Sequence, residues 1–178
     1  MGVRQVSEEV EFPKGVTWKL EGGALKVKGP KGELTRAFVH PLVRLEADSG
    51  QLFIKAKDAR KRDRALAGTW AAHIRNMGQG ALKGHEYQMK IVYSHFPIKA
   101  GVQGSEFVVE NFLGEQHPRK VPIRGATKVS VAGDKVTVFG PDLEEVSGTA
   151  ANIEQGTRIR GFDPRVFQDG IYIVSKGE

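Results

Sequence analysis

Apolar residues recur at a spacing of two through most of this chain and at helical spacing in two stretches. The first alternating stretch runs from Glu11 to Leu34, with Trp18 and Leu20 on one face before Glu21-Gly22-Gly23 and Leu25 and Val27 after it. A period of two puts successive side chains on opposite faces of a strand, and paired glycines suit a tight hairpin turn. Phe38 to Ala56 alternates again, with Val43 and Leu45 before Asp48-Ser49-Gly50 and Leu52 and Ile54 after it. This second hairpin is expected to complete a small antiparallel sheet. Asp58 reads as the N-cap of a long helix, in which Leu66, Trp70, His73 or Ile74, and Met77 recur until Gly78 and Gly80 end it. That helix covers the sheet, with Trp70 in the core.

Gly78 to Gly84 reads as the linker, because the period changes on either side of its glycines. Beyond it, Tyr87, Met89, Ile91 and Tyr93 alternate with polar residues in a half-buried strand from His85 to Tyr93, and Glu106 to Leu113 is the expected partner strand. Gly114 to Pro122 has no apolar period and reads as a polar loop. Thr127 to Glu144 is again strand, turn, strand. Asp142 with Glu145 fits a capping box, opening a helix with Val146, Ala150 and Ile153 inward. Asp169-Gly170 reads as a turn into a closing strand, Ile171 to Val174, with Phe167 and Tyr172 expected in the core.

Two of these stretches are copies. Val27-Lys28-Gly29-Pro30 resembles Val138-Phe139-Gly140-Pro141, and Gly22 and Gly29 recur as Gly133 and Gly140 at one offset. Ala71 to Ile74 resembles Ala150 to Ile153 at a shorter offset, so the first copy carries an insertion from Arg36 to about Lys57. The pattern predicts an α+β fold, a tandem duplication of a small domain in which an antiparallel sheet packs on one helix. The expected domains are residues 1–82 and 83–178, each small enough to bury only a modest core.

Composition removes several chemistries. The 178 residues include no cysteine, which excludes disulfides, thiolate nucleophiles and cysteine-ligated zinc. The five histidines, His40, His73, His85, His95 and His117, show no pair at metal-binding spacing. The glycines from Gly78 to Gly84 follow a helix and precede a strand, the reverse of a phosphate-cradling loop. Neither a P-loop lysine motif nor a Gly-x-Ser-x-Gly elbow occurs. No catalytic residue, metal or cofactor is assigned. Met1 to Glu11 lacks an apolar signal core and no run long enough to span a bilayer occurs, so a soluble, cytoplasmic protein is expected.

Charge adds a partner class. Lys and Arg number 27 against 21 acids, a formal charge of +6, as suits a polyanion. The run from Lys55 to Arg64 is broken by Asp58 and Asp63 and reads as a solvated helix start, where cations oppose the dipole. His117, Arg119, Lys120, Arg124 and Lys128 have no acid between Gln116 and Val131, and Pro118 and Pro122 stiffen the stretch, as a phosphate-tracking loop requires. Arg158, Arg160, Arg165 and Lys176 form a second cationic group, interleaved with Phe162, Phe167 and Tyr172.

The tail carries a recognisable pattern. Gln155, Ile159, Arg165, Phe167, Asp169-Gly170-Ile171-Tyr172-Ile173 and Lys176 resemble the C-terminal signature of the archaeal and eukaryotic branch of the large-subunit ribosomal protein L6 family. Tyr93-Ser94-His95-Phe96-Pro97, Glu110 to Glu115 and Gly29 to Glu33 resemble further family segments in the same order. The resemblance implies two copies of a small α+β domain and a structural, RNA-binding role without catalysis. It also implies contact of the C-terminal half with large-subunit ribosomal RNA near the sarcin–ricin loop, neighbouring ribosomal proteins as partners, and translational GTPases docking nearby. Carried over by position, Gly114, His117 and Pro118 match a loop next to RNA, Arg165 and Lys176 are candidate phosphate contacts, and Asp169 and Gly170 shape the tail. Phe162 stands where the family pattern usually has a basic residue, which is at odds with a phosphate contact there. Arg119, Lys120, Arg124, Arg158 and Arg160 join the RNA-binding set on charge and placement. A competing reading is a protein-binding adapter that uses a sheet edge or apolar groove, its charge serving solubility; an enzyme would need titratable groups converging in a pocket.

Overall fold

The computed structural model describes residues 6–48, 51–56, 60–94 and 96–177. Ser49 and Gly50 of the expected turn, the expected N-cap Asp58, and His95 lie outside them. Backbone contacts divide the chain into two compact units, Met1–Gly84 and His85–Glu178.

The first unit holds β1 (Val6–Val10), β2 (Thr17–Glu21), β3 (Ala24–Gly29), β4 (Gly32–Ala37), β5 (Val43–Asp48), β6 (Gln51–Ala56) and α1 (Lys61–Leu82). Gly22 and Gly23 take φ of +57° and +87°, the mirror-image turn that matches strand twist, and join β2 to β3. The strands form two antiparallel sheets, β2-β3-β4 and β1-β6-β5, not the single sheet expected. β4 takes the second edge of β3, and the β5–β6 hairpin pairs with β1, Leu52 opposite Val10 and Ile54 opposite Glu8. Leu25, Val27, Val43, Leu52 and Ile54 pack with Ala67, Trp70, Ala71 and Ile74 in one core, where Trp70 meets Phe38 edge-on at 5.2 Å between ring centroids.

The helix begins at Lys61, with the Arg60 N–H donating to the buried Asp63 carboxylate at 2.9 Å. It does not stop at Gly78 or Gly80, which corrects the expected linker: both glycines lie inside α1. Gly78 is small for a packing reason, since a Cβ there would approach Pro13 Cδ to 3.1 Å. A helical glycine costs only about 1 kcal/mol against alanine. The end comes at Gly84, φ +79°, with Lys83 and Gly84 N–H donating back to Gln79 and Gly80 carbonyls. Another carbonyl of the last turn, Ala81, accepts the Lys31 N–H at 3.0 Å, so the Gly29-Pro30 turn docks on the helix end. A Cβ on Gly29 would overlap that carbonyl group.

The second unit holds β7 (His85–Val92), β8 (Lys99–Gln103), β9 (Glu106–Glu110), a 3-10 turn (Phe112–Gly114), β10 (Arg119–Pro122), β11 (Lys128–Ala132), β12 (Lys135–Gly140), α2 (Leu143–Gly156) and β13 (Gly170–Lys176). Its antiparallel sheets are β11-β12-β7-β13 and β10-β9-β8. β9 therefore pairs with β8 and β10 and not with β7, whose neighbours are β12 and β13. Asp142 caps α2 as expected, its Oδ1 accepting the Glu144 N–H at 2.8 Å, but no capping box closes. Glu145 reaches instead to the Ala126 N–H at 3.0 Å.

The duplication is written into burial. Leu25 and Val27 on β3 and their counterparts Val136 and Val138 on β12 are each fully buried, and so are Ala71 and Ile74 on α1 and Ala150 and Ile153 on α2. The copies diverge in what flanks that element: β3 takes its second neighbour from the following strand, β4, whereas β12 takes it from the first strand of its unit, β7.

Two glycine substitutions in α1 and its dock are expected to act in opposite directions in urea unfolding. Gly29→Ala drives a methyl into backbone and lowers stability by about 1–3 kcal/mol. Gly68→Ala, where a Cβ meets nothing within 4 Å, raises it by up to about 1 kcal/mol.

Candidate nucleic-acid interface

Thr157, the residue after α2, organises the irregular segment from residue 158 to residue 169. Its buried Oγ1 donates to the Ile153 carbonyl and accepts the Ile171 N–H, both at 3.1 Å. The two ends of the segment are thereby drawn to one point. Asp169, also buried, adds a second tie, its Oδ1 accepting the Ser94 N–H at 3.2 Å. Asp163 shapes the tip: its carbonyl accepts the N–H groups of Val166 and Phe167, each at 3.0 Å. The chain turns at Pro164 to Val166 and not at Asp169-Gly170, which corrects the expected turn. Asp169 works as an anchor, while Gly170 opens β13 beside the Tyr172 ring, which a Cβ there would approach to 3.0 Å. The cationic tail is thus a closed loop, pinned at its base by two side chains of ordinary sequence context.

Arg119 and Lys120 lie on β10, antiparallel to β9, and not on a loop. The prolines that suggested a loop sit at the strand's two ends, where a missing N–H interrupts little of the ladder. Arg119 is spent internally. Its Nε and Nη2 donate to the two Glu115 carboxylate oxygens at 2.8 and 2.5 Å, and Nη1 donates to the Gly156 and Arg158 carbonyls at 3.0 and 3.1 Å. The guanidinium also lies 4.1 Å from the Phe112 ring centroid. It closes the C-terminal end of α2, where a cation also suits the helix dipole.

The other candidates divide by how free they are. Lys120 makes an exposed 3.4 Å ion pair with Glu106, a weak surface contact. Arg124 lies along α2 beside Gly148, with the Asn152 amide turned to face its Nε at 3.3 Å. Arg165 is held by Asp163 at 2.9 Å although its side chain is 88% exposed. His117, Lys128, Arg158, Arg160 and Lys176 are exposed, and among the described residues none pairs its side chain with an acid.

These groups do not converge on one point. Arg158, Arg160 and Arg165 share the closed loop, and Arg119 ties that loop's start to β10. Lys128 opens β11 in a different groove, beside Val102, Ile123 and Thr127. Lys176 ends β13, roughly 20 Å from Gly170 at strand rise. Gly114 is exposed at φ +77° with the Phe96 ring packed over it, and Pro118 precedes β10. Tyr172 is 42% exposed and Phe167 half-buried against Phe162, which corrects their expected core placement. Tyr93, Phe96 and Phe162 are also exposed, so the second unit displays aromatic rings as well as cations.

The charge is distributed unevenly in a way the whole-chain total hides. The unit from His85 carries 11 Lys and Arg against 12 acids, and the unit before it 16 against 9. Any anion contact by the second unit therefore rests on local clustering and not on net charge.

A family model described as Ribosomal protein L6 matches residues 12–84 and 96–170. The protein named large ribosomal subunit protein uL6 of Methanosarcina mazei is 45% identical over 174 residues, covering 98% of this chain and 99% of that protein. Those of Methanocella arvoryzae and Archaeoglobus fulgidus are 49% and 46% identical, over 94% and 97% of this chain and 96% and 91% of their own lengths.

The Arg119 hydrogen bonds hold the Glu115 carboxyl below its ordinary value. A carboxylate favoured in the folded state stabilises above its unfolded pKa, and that stabilisation is lost as pH falls through the lowered one. Glu115→Gln is therefore expected to be less stable than wild type at pH 7, the gap narrowing toward pH 3 in urea unfolding at both pH values. Thr157→Val, which leaves the Ile171 N–H without its acceptor, is expected to cost about 1–3 kcal/mol in the same measurement.

Proposed function

Because the chain belongs to the ribosomal protein L6 family, we propose that it is a structural constituent of the large ribosomal subunit that binds large-subunit ribosomal RNA near the sarcin–ricin loop. Members of that family are structural parts of the ribosome and not enzymes. Translation factors dock on that side, which makes translational GTPases transient neighbours and other large-subunit proteins permanent ones. The RNA-binding half is residues 83–178, and residues 1–82 face neighbouring components.

The observation that supports this reading best is the closed loop 158–169. It presents Arg158 and Arg160 with no acid partner among the described residues, on a backbone held at both ends. Cations carried on a pinned backbone suit the phosphate spacing of a folded RNA, whose narrow major groove leaves shape and backbone as the readable features. His117, Lys120, Arg124, Lys128, Arg165 and Lys176 complete the proposed contact set. Arg119 supports it from behind, by fixing the loop to β10. Gly114, Pro118, Asp169 and Gly170 shape the backbone that carries these groups.

A fragment of large-subunit RNA containing the sarcin–ricin region is expected to bind the full-length chain with a steep salt dependence. Arg158→Glu with Arg160→Glu should weaken binding by about tenfold or more and flatten the slope by about 2. The same variant should unfold at the wild-type urea midpoint. Binding that ignores both salt and the substitutions would favour a protein-binding adapter.

A further inference from the structure

Phosphate contacts leave one feature of the second unit without a role. Between the end of α2, the closed loop and β13 lies a cleft of 420 Å³, lined by Phe167, Tyr172 and Ile159 together with Gln155, Gln168 and Arg158. Its size falls in the range of small-ligand sites.

The cleft is built and held. The Tyr172 hydroxyl donates to the Gln168 carbonyl at 3.1 Å, and the ring packs down on Gly170, so its orientation is set from both ends. Phe167 is backed by Phe162, ring centroids 4.9 Å apart. Glu154, also at the cleft, has one carboxylate oxygen on the Ile173 N–H at 3.2 Å. Tyr172, exposed, and Phe167, half-buried, both stand outside the unit's own buried core.

The combination selects an occupant. Aromatic walls favour a flat π-system, primary amides offer both donors and acceptors to a heterocycle's edge, and a guanidinium with no acid partner favours a phosphate attached to that ring. An apolar peptide side chain would use the walls and leave Arg158, Gln155 and Gln168 without a match. A single nucleotide uses all of them. Unstacked bases splayed from loops and bulges are the part of an RNA that aromatic side chains capture.

We propose that this cleft receives one unstacked nucleobase of the bound RNA, its ring against Tyr172 and Phe167, its edge toward Gln155 and Gln168, and its phosphate on Arg158. The proposal rests on the RNA-binding reading above and adds to it a site that discriminates an extruded base from a continuous helix. Stacking by itself tolerates any base, and the amide of Gln155 at the base edge is needed with both rings to hold the nucleotide in the cleft.

The test uses the full-length chain and two RNA hairpins of equal length, one fully paired and one with a single bulged 2-aminopurine. The bulged hairpin is expected to bind about tenfold more tightly, with the 2-aminopurine emission changing on binding. Phe167→Ala, Tyr172→Ala and Gln155→Ala should each remove most of that preference while leaving affinity for the paired hairpin unchanged. Gln155 is an exposed position on α2, so its variant decides the matter if either aromatic variant fails to fold. Equal, salt-dependent binding of both hairpins by the wild type would overturn the base site and leave the RNA reading standing. A preference that survives Gln155→Ala and the folded aromatic variants would also overturn it. Failure to bind either hairpin at low salt would overturn both readings together.

Discussion

Each unit of this protein depends on the same contact: two branched residues on a strand with neighbours on both sides, pressed by an alanine and an isoleucine one helical turn apart. Leu25 and Val27 meet the face of Ala71 and Ile74, and Val136 and Val138 meet that of Ala150 and Ile153, all without solvent exposure. Alanine lets the helix come close, and isoleucine fills the space beside it. A buried face this small leaves little tolerance for a shifted register, since a one-residue slip would turn the apolar set to water. The glycine of each Gly-Pro pair belongs to the same constraint. Gly29 admits the helix end over its turn, and Gly140 sits where a Cβ would press on Val146 at 2.9 Å.

Around this shared element the copies build different surroundings. In the first unit the chain continues past the Gly-Pro turn into a further strand. In the second, Asp142 follows the proline and starts a helix directly, its carboxylate taking an orphan N–H. The same dipeptide thus serves a hairpin in one place and a helix start in the other. The outcome is set by the residues after it: Lys31-Gly32 allow a reversal, Gly32 opening the returning strand, whereas Asp142 with Glu144 and Glu145 suits a positive helix end.

The second unit assigns its cations to two kinds of work. Arg119 uses its guanidinium on a carboxylate, two carbonyls and an aromatic face, which fixes β10 to the end of α2 and to the start of the basic loop. Arg158 and Arg160 remain turned to solvent on the loop so fixed. For the RNA contact proposed above this division is an advantage, because a loop backbone already held at both ends loses less freedom on binding. A count of basic residues along the chain sees both kinds alike.

The residue order alone was sufficient for the repeat, the alternating strands, both helices and the burial of Trp70, because each is a periodic feature within one segment. The motif around Arg165 to Lys176 likewise pointed to the family from residues adjacent in the chain. The pairing of β7 with β13 across the unit, the two-sheet division of the first half, the continuation of α1 through Gly78, and the exposure of Tyr172 were settled only by tertiary packing. So was the role of Arg119. Its partners Gly156 and Arg158 lie far along the chain, and a guanidinium reads identically whether it faces a phosphate or a carbonyl until the fold decides which atoms stand within 3 Å. Periodicity reports how one segment meets a surface; which segments meet one another depends on contacts between residues distant in sequence, and those leave no local signal.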